Sequence, residues 1–197
     1  MLIKRLFDIL AASAGLVLLA PVFAVAALAI RLDSPGPVLF RQERVGKGGV
    51  PFLILKFRTM YVGAEARGQI TRGADPRVTA VGAALRRWKI DELPQLVNVV
   101  RGEMSLVGPR PEVPRYVACY PPAVREAVLS VQPGITDWAS ICFHEEAEVL
   151  GTDADPERRY VEEILPVKLD YCMRYVNEHG FFTDLKIIFM TLRAIVR

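Results

Sequence analysis

The amino-acid sequence predicts a mixed α/β fold that is mostly helical, with a small β-hairpin or sheet and a kinked N-terminal helix that enters a membrane. Three features predict it. An uncharged apolar run covers 9–30, two short apolar segments flank a glycine turn at 46–49, and helical spacing of apolar residues recurs further on. The 197 residues, 52% of them hydrophobic, suffice for one domain with a buried core.

Composition excludes several classes of site. The cysteines Cys119, Cys142 and Cys172 are odd in number and widely spaced, and only two histidines are present. We therefore expect reduced thiols, and neither a disulfide framework nor a zinc or histidine-rich metal site. The net charge is +3 and no segment resembles a nucleic-acid-binding module, so nucleic acid is not an expected partner.

The apolar run at 9–30 is long enough to reach across a bilayer, since a straight helix of this length measures about 33 Å. Three interpretations compete. The run is a single-pass anchor, a secretory signal peptide cleaved after Ala26 or Ala29, or a re-entrant helix that bends and leaves by the face it entered. The signal peptide is the weakest of the three because the run is longer than the usual apolar region of a leader.

Proline and charge bear on the choice between anchor and re-entrant helix. Pro21 predicts a kink at Ala20–Pro21, because proline removes a backbone hydrogen bond and clashes with the preceding turn. Basic residues lie on both sides of the run, with Lys4 and Arg5 before it and Arg31 after it. A re-entrant helix keeps both ends on the cytoplasmic side, as the positive-inside bias prefers. These residues alone leave both interpretations open.

A turn cluster at 33–37 ends the first helix, and a β-hairpin follows with strands over 38–46 and 51–58. Lys56 and Arg58 are two residues apart and therefore share one face of the second strand. Two cations on one face are either an ordinary solvated edge or a clamp for phosphate.

Two helices follow. The first covers 79–88 and carries Arg86 in its last turn. The second covers 90–102, where apolar residues at 93, 96, 97 and 100 form one face, and Gly102 ends it. We expect Asp91 or Glu92 to cap this helix, with Pro94 tolerated in the first turn.

The segment 108–111 is stiff, because each proline disfavours a helical conformation in the residue before it and so holds Gly108 and Arg110 extended. The remaining chain predicts a helix over 121–131, a turn at 132–134 and a solvated acidic loop over 145–163. It also predicts a helix that starts at 155–156 and is interrupted by Pro166, and an apolar helix over 184–197. That last helix either packs in the core or lies on a membrane surface.

Adjacent carboxylates at a helix N-terminus admit two roles. Asp91 and Glu92 serve simply as caps, or they supply a nucleophile and hard oxygen ligands for Mg²⁺, which normally brings substrate phosphates with it. Arg86, Arg110 and the face shared by Lys56 and Arg58 are cations suited to a diphosphate. Together, beside a membrane insert, these groups indicate phosphoryl chemistry on a lipid.

The ordered motifs of this chain resemble those of the bacterial sugar transferases, the monotopic phosphoglycosyl transferases that start glycoconjugate assembly. Six motifs carry the resemblance and cover nearly the whole chain. They are Lys4–Asp8, Ser34–Val38, Lys56–Met60, Asp91–Gln95, Ser105–Pro111 and Pro133–Thr136.

The resemblance implies an enzyme that transfers a phosphosugar from a UDP-sugar to polyprenyl (undecaprenyl) phosphate, releases UMP and requires Mg²⁺. It implies that Asp91 attacks the β-phosphorus to form an aspartyl-phosphosugar, and that Glu92 assists metal binding or proton management. The implied phosphate- and nucleotide-binding residues are Arg86, Arg110, Lys56, Arg58, Gly108 and Pro109. Exopolysaccharide or glycoconjugate biosynthesis is the implied setting.

The resemblance also favours the re-entrant helix. It implies a membrane helix over 1–32, kinked at Pro21, and a catalytic domain with interfacial helices over 33–197. The expected location is the cytoplasmic face of the bacterial inner membrane, with membrane lipids as partners and a homodimer left open. A non-enzymatic membrane-associated scaffold for glycan assembly is the alternative.

The chain departs from the family's pattern after Thr136, where many relatives continue Gly-X-Ala-Gln-Val-Asn-Gly-Arg. Here the sequence continues with Asp137 and Trp138, and His144 stands where an arginine is common. Whether His144 replaces a phosphate-binding arginine is left open, and so is the identity of the sugar.

Overall fold

The computed structural model describes residues 2–64, 68, 75–142 and 156–196. Within these ranges the chain is mostly helical and has two small sheets of two strands each, which confirms the predicted class. The helices are α1 (Leu2–Leu18), α2 (Ala20–Asp33), α3 (Ala80–Arg87), α4 (Gln95–Arg101), α5 (Pro114–Val117), α6 (Pro122–Leu129), α7 (Trp138–Cys142), α8 (Pro156–Arg159), α9 (Leu165–Glu178) and α10 (Phe181–Val196). The strands are β1 (Leu39–Val45), β2 (Pro51–Phe57), β3 (Ser105–Val107) and β4 (Gly134–Thr136).

The apolar N-terminal run forms two helices that bend by 60° at their junction. The break falls at Leu19, and Pro21 lies in the first turn of α2, where its missing N–H costs little. The predicted kink at Ala20–Pro21 is therefore present, displaced by one residue. No single helix among the described residues is long and apolar enough to cross a bilayer, whereas the bent pair passes that test on length and composition.

Charged residues of α1 bind the body of the protein. The Arg5 guanidinium donates to the carbonyls of residues 99 and 100 in the last turn of α4, at 2.7 and 3.0 Å. The Asp8 carboxylate is 3% exposed and accepts from the Ser105 hydroxyl at 2.8 Å and from the Leu106 N–H at 3.2 Å. These contacts attach helix α1 to α4 and β3.

A second attachment joins α1 to α10. The Lys4 ammonium forms an ion pair with Asp184 and donates to the Val107 carbonyl at 3.2 Å. The Tyr175 hydroxyl donates to the same carboxylate at 2.9 Å, so Asp184 links α1, α9 and α10. Since Asp184 is buried, both bonds offset the cost of removing its charge from water.

The β1–β2 hairpin is antiparallel, with Leu39 opposite Phe57 and Val45 opposite Pro51, and its turn includes Gly48 and Gly49 with positive φ. This confirms the predicted hairpin. Helix α4 is fixed to β2 by the side-chain amide of Asn98, which accepts from the Leu55 N–H at 3.0 Å and donates to the Leu53 carbonyl at 2.8 Å. These two bonds join the hairpin directly to α4.

The single helix predicted over 90–102 is divided. Residues Ile90–Glu92 form a 3-10 turn that follows Lys89, whose φ of 54° is left-handed, and α4 begins only at Gln95. The N-cap of α4 is Pro94, with no side-chain cap. The expectation that Asp91 or Glu92 caps this helix is therefore wrong, because both precede it in a separate turn. Gly102 ends α4 with positive φ, as predicted.

A parallel pair of strands, β3 and β4, was not predicted. Ser105 pairs with Gly134 and Val107 with Thr136. Next to the paired residues, the segments that flank β3 and β4 approach so closely that a Cβ added at Gly108 would lie 2.3 Å from the Gln132 carbonyl oxygen. Glycine at 108 is therefore a requirement of this contact.

The C-terminal third confirms some expectations and corrects one. Pro166 lies in the first turn of α9, directly after a π-helical turn at Tyr160–Ile164. The predicted interruption of the helix that starts at Pro156 is therefore this π-helical turn. The helix predicted to start at 155–156 is present from Pro156, so the predicted acidic loop does not extend over 156–163, and the rest of that loop lies outside the described residues. Helix α10 packs Ile187 in the core and exposes other large apolar side chains, with Phe182 at 84%.

Arg58 fixes the loop that leads out of the apolar helix pair. Its side chain is 6% exposed, and its guanidinium donates to the Ser34 hydroxyl and carbonyl at 2.9 and 2.8 Å. It also donates to the carbonyls of Pro35 and Pro37 at 3.0 and 2.7 Å. The planar fork of an arginine makes several such bonds at once, which an ammonium cannot do in the same geometry.

We expect Arg58→Lys to lower the free energy of unfolding by about 2–3 kcal/mol, since it leaves buried carbonyl groups without donors. Denaturant melts of the full chain in detergent measure this. Arg41→Lys makes the same change at an exposed position on β1 and should leave stability unchanged. Equal stability of the two variants would contradict a structural role for Arg58.

Candidate active site

Three segments far apart in sequence meet at the Glu92 carboxylate. The Lys56 ammonium, from β2, donates to Glu92 Oε1 at 2.9 Å. The Arg110 guanidinium, which follows β3, donates to Glu92 Oε2 at 3.1 Å and to Oε1 as well. The structure therefore brings together Glu92, Lys56 and Arg110, and Asp91 is the neighbour of Glu92 in the same 3-10 turn.

The two cations determine the charge state of Glu92. Burial raises the pKa of Glu92, but the positive charges of Arg110 and Lys56 and their hydrogen bonds outweigh it and hold that pKa well below the usual range. Burial lowers the pKa of the Lys56 ammonium, and the Glu92 carboxylate opposes this effect. Glu92 is consequently an ionised carboxylate with both oxygens engaged by cations.

Asp91 has a different environment. It is 8% exposed, and its Oδ1 atom is buried without a hydrogen-bond partner in the described part of the chain. Burial raises the pKa of Asp91, with Lys56 opposing the rise and the Glu92 charge adding to it. An oxygen without a donor is a better nucleophile and a better metal ligand than one held by two cations. The neighbouring carboxylates thus differ in hydrogen bonding, since both oxygens of Glu92 accept bonds and the buried Asp91 Oδ1 has no donor among the described residues.

Arg86 lies at the edge of this group, in the last turn of α3. Its Nε donates to the Thr59 hydroxyl at 2.8 Å. Burial lowers the pKa of Arg86, and the charge of Asp91 is the main opposing influence, which places the guanidinium within electrostatic reach of that carboxylate. Arg86 therefore joins Lys56 and Arg110 in surrounding the carboxylate pair with positive charge.

The other residues named from the sequence lie outside this charge cluster or contribute backbone. Arg58 donates to the loop at 34–37 as described above, although it is two residues from Lys56. The Gly108 N–H donates to the Thr136 carbonyl at 3.0 Å, and the Pro109 carbonyl accepts from the Gly134 N–H at 3.0 Å. Gly108 and Pro109 thus hold the segment from which Arg110 projects.

Sequence reasoning missed a second buried charge group beside Arg110. The Glu112 carboxylate accepts from the Tyr160 hydroxyl at 2.5 Å, and Lys168 Nζ and Arg44 Nη1 lie 3.4 and 3.5 Å from it. Arg44 also donates to the Pro111 carbonyl at 3.0 Å. Burial raises the pKa of Glu112, but Lys168 and Arg44 outweigh it and lower that pKa. No sequence spacing relates these residues, because they come from β1, the π-helical turn and α9.

The metal-ligand capacity of the site is small. In residues 2–64, 68, 75–142 and 156–196 no three histidine, cysteine or acidic residues are grouped to hold an ion. Magnesium commonly takes one or two protein carboxylates and completes its shell with water and substrate phosphates. The buried Oδ1 of Asp91, which has no donor among the described residues, fits such a site. Both oxygens of Glu92 accept bonds from cations, so Asp91 is the better ligand.

Comparison with known proteins places these residues in a family. The family model for bacterial sugar transferases matches residues 1–197. The chain is 40% identical over 197 residues to UDP-N-acetylgalactosamine-undecaprenyl-phosphate N-acetylgalactosaminephosphotransferase of Aeromonas hydrophila, covering 98% of this chain and 44% of that protein. It is 40% identical over 196 residues to UDP-glucose:undecaprenyl-phosphate glucose-1-phosphate transferase of Escherichia coli K12, covering 97% of this chain and 39% of the relative.

A shorter relative matches over more of its own length. UDP-glucose:undecaprenyl-phosphate glucose-1-phosphate transferase of Caulobacter vibrioides is 41% identical over 197 residues, which cover 98% of this chain and 69% of the relative. The chain thus spans less than half of the first two proteins and about two thirds of the third. From the match along all 197 residues and these identities, the chain belongs to the bacterial sugar transferase family.

Proposed function

We propose that this chain transfers a sugar 1-phosphate from a UDP-sugar to undecaprenyl phosphate and releases UMP. Family membership and the names of the relatives support the reaction class. The observation that carries the proposal is the pair of carboxylates in one turn, of which Glu92 is held by Lys56 and Arg110 while Asp91 Oδ1 has no donor among the described residues.

The proposed reaction has two displacements at the same phosphorus. A carboxylate oxygen of Asp91 attacks the β-phosphorus of the UDP-sugar, the bond between that phosphorus and the bridging oxygen breaks, and UMP leaves with the electron pair. A phosphate oxygen of undecaprenyl phosphate then attacks the phosphorus of the aspartyl-phosphosugar. The aspartyl–phosphorus bond breaks, which restores the Asp91 carboxylate and yields the lipid diphosphate sugar.

The cations around the carboxylates supply the charge that this chemistry needs. Lys56, Arg86 and Arg110 lie close enough to Asp91 or Glu92 to shift their pKa values or to bond them. Three cations against two carboxylates leave an excess of positive charge, which suits the phosphates of donor and acceptor. We assign Arg86 and Arg110 to phosphate binding, Lys56 to orienting Glu92, and the Gly108–Pro109 backbone to holding Arg110. Arg58 acts on the site through the loop at 34–37.

We include Mg²⁺ in the proposal, with Asp91 as its protein ligand and Glu92 beside it. When bound, the ion neutralises charge on the diphosphate and so favours departure of UMP. The Asp91 carboxylate would use one oxygen for the metal and the other for attack on phosphorus. Arg110 and Lys56 keep Glu92 ionised but occupy both of its oxygens, which is why we assign the ion to Asp91.

We further propose that α1 and α2 form a re-entrant hairpin in the inner membrane, with the domain over 33–197 on the cytoplasmic face. The 60° bend and the apolar composition support it. So do the contacts of Lys4 and Arg5 with the body, which keep the start of α1 beside α10 and α4. The exposed apolar side chains of α10, such as Phe182 and Phe189, would lie in the lipid surface.

A non-enzymatic scaffold is the weaker alternative. It would need Asp91 and Glu92 only as helix caps, and neither caps α4. A buried carboxylate oxygen without a donor also has no structural benefit, because burying such a group costs free energy.

The first expectation concerns the nucleophile. Asp91→Asn should reduce UMP release by about a thousandfold or more, because the amide cannot form the covalent intermediate. The measurement is UMP release in nanodiscs from a panel of UDP-sugars with undecaprenyl phosphate and Mg²⁺. Asp170→Asn makes the same change at an exposed position on α9 and should retain activity. Undiminished release by Asp91→Asn would exclude Asp91 as the nucleophile.

The second expectation concerns pH and stability. Because burial raises the pKa of Asp91, the folded protein holds this proton to higher pH than the unfolded chain does. The resulting stabilisation is complete below the unfolded-state pKa and is lost as pH rises through the folded-state pKa. Asn does not titrate, so Asp91→Asn should melt a few degrees above the wild type at about pH 7.5, and this gap should shrink at about pH 4.5. A gap independent of pH would contradict the raised pKa.

The third expectation concerns topology. If α1 and α2 are re-entrant, epitope tags at the two termini lie on the same side of the membrane. Protease added to intact spheroplasts should then spare both tags, and permeabilisation should expose both, which serves as the control. Cleavage of one tag alone in intact spheroplasts would demonstrate a single span instead.

A further inference from the structure

The carboxylate of Asp137 joins two parts of the protein that meet at the candidate active site. Asp137 directly follows β4 and is 1% exposed. Its Oδ2 atom accepts from the backbone N–H of Arg110 at 3.2 Å. Its Oδ1 atom accepts from the N–H and the hydroxyl of Ser140 at 2.7 and 2.6 Å, in the first turn of α7. One side chain therefore links the start of α7 to the backbone of Arg110.

The backbone on either side of Arg110 is held through its carbonyls, with Pro109 accepting from the Gly134 N–H and Pro111 accepting from Arg44. Both neighbours, Pro109 and Pro111, lack an N–H, so the Arg110 N–H is the one backbone donor in this tripeptide. The contacts between β3 and β4 extend to the bond from Gly108 N–H to the Thr136 carbonyl. Asp137 follows Thr136, and its side chain accepts the next available N–H. Asp137 thereby extends the contact between the segments that follow β3 and β4 by one further hydrogen bond.

Asp137 bonds the backbone of Arg110, whereas the Arg110 side chain bonds Glu92. The donors to Asp137 are two backbone N–H groups and a hydroxyl, all uncharged. The guanidinium of Arg110 instead reaches Glu92, beside the proposed nucleophile. Because Asp137 bonds the backbone of Arg110 and not its guanidinium, it fixes the point from which the Arg110 side chain extends. The charged end of that side chain then serves Glu92 and substrate.

We propose that Asp137 is a positioning residue for the transfer reaction, acting through the backbone of Arg110. This inference rests on the proposed function, since it assigns Asp137 to the same site. It lies in the segment where the chain departs from the family's pattern after Thr136, so it is a property of this chain's own residues.

A double-mutant cycle tests the inference. We expect Asp137→Asn to lower kcat/KM for UMP release by about tenfold, because an amide has one acceptor oxygen and loses one of the two attachments. In an Arg110→Ala background, itself less active, the same change should alter kcat/KM by less than about twofold. Asp137→Ser, which still caps α7, should reproduce the loss if Asp137→Asn does not fold. The matched control is Asp170→Asn, expected to behave as the wild type.

The outcomes separate the two claims. If the wild type releases UMP and the Asp137 variants lose equal activity with and without Arg110, the effect is general and the positioning role is excluded. The role is also excluded if both Asp137 variants are fully active, or if the Arg110 amide of the wild type exchanges rapidly with deuterated solvent. If the wild type releases no UMP from any UDP-sugar tested, the proposed function fails, and the positioning role fails with it.

Discussion

The site depends on one shared carboxylate, that of Glu92, which Lys56 and Arg110 both bind. Burying a charge is costly unless it is paired, and here the anion is paired twice. The pairing brings together β2, the turn between α3 and α4, and the segment after β3. A glutamate at this position therefore joins these three segments, while Oδ1 of the neighbouring Asp91 is buried without a donor among the described residues.

The surroundings of the adjacent carboxylates Asp91 and Glu92 shift their pKa values in opposite directions. Two cations hold the pKa of Glu92 well below its usual range, while burial raises that of Asp91. Such divergence between neighbouring groups is typical of sites where the two take different chemical roles. The difference between the two side chains follows from where each one points. Glu92 points to Lys56 and Arg110, whereas Asp91 Oδ1 has no donor within the described chain. The two adjacent carboxylates thus differ in charge environment and in hydrogen bonding.

The N-terminal helix pair and the site are mechanically connected. Arg5 binds the last turn of α4, the helix that begins four residues after Asp91, and Asp8 binds β3, which leads to Arg110. The position of α1 relative to the carboxylates is consequently set by partly buried and buried hydrogen bonds. The hydrogen bonds of Arg5 and Asp8 thus connect the first apolar helix to the elements that precede Arg110 and follow Asp91. The basic residues at 4 and 5 thus have a structural use besides any effect of their charge on topology.

The sequence by itself determined the local features: the kinked apolar pair, the hairpin at 39–57, the end of α4 at Gly102, and the family. These follow from proline, glycine and apolar spacing, which act within a few residues. It also indicated Asp91, Glu92 and the cations as a group. It did not predict that Arg58 would hold the loop at 34–37, because strand alternation gives a face and not a partner.

Tertiary structure decided the rest. The division of 90–102 into a turn and a helix moved Asp91 and Glu92 out of capping positions, and the parallel pairing of β3 with β4 brought Asp137 to Arg110. The charge group around Glu112 joins residues from 44 to 168. Contacts between residues so far apart in sequence depend on how whole elements pack, and buried charges must find partners within that packing. Local sequence propensities do not specify which distant residues these partners are.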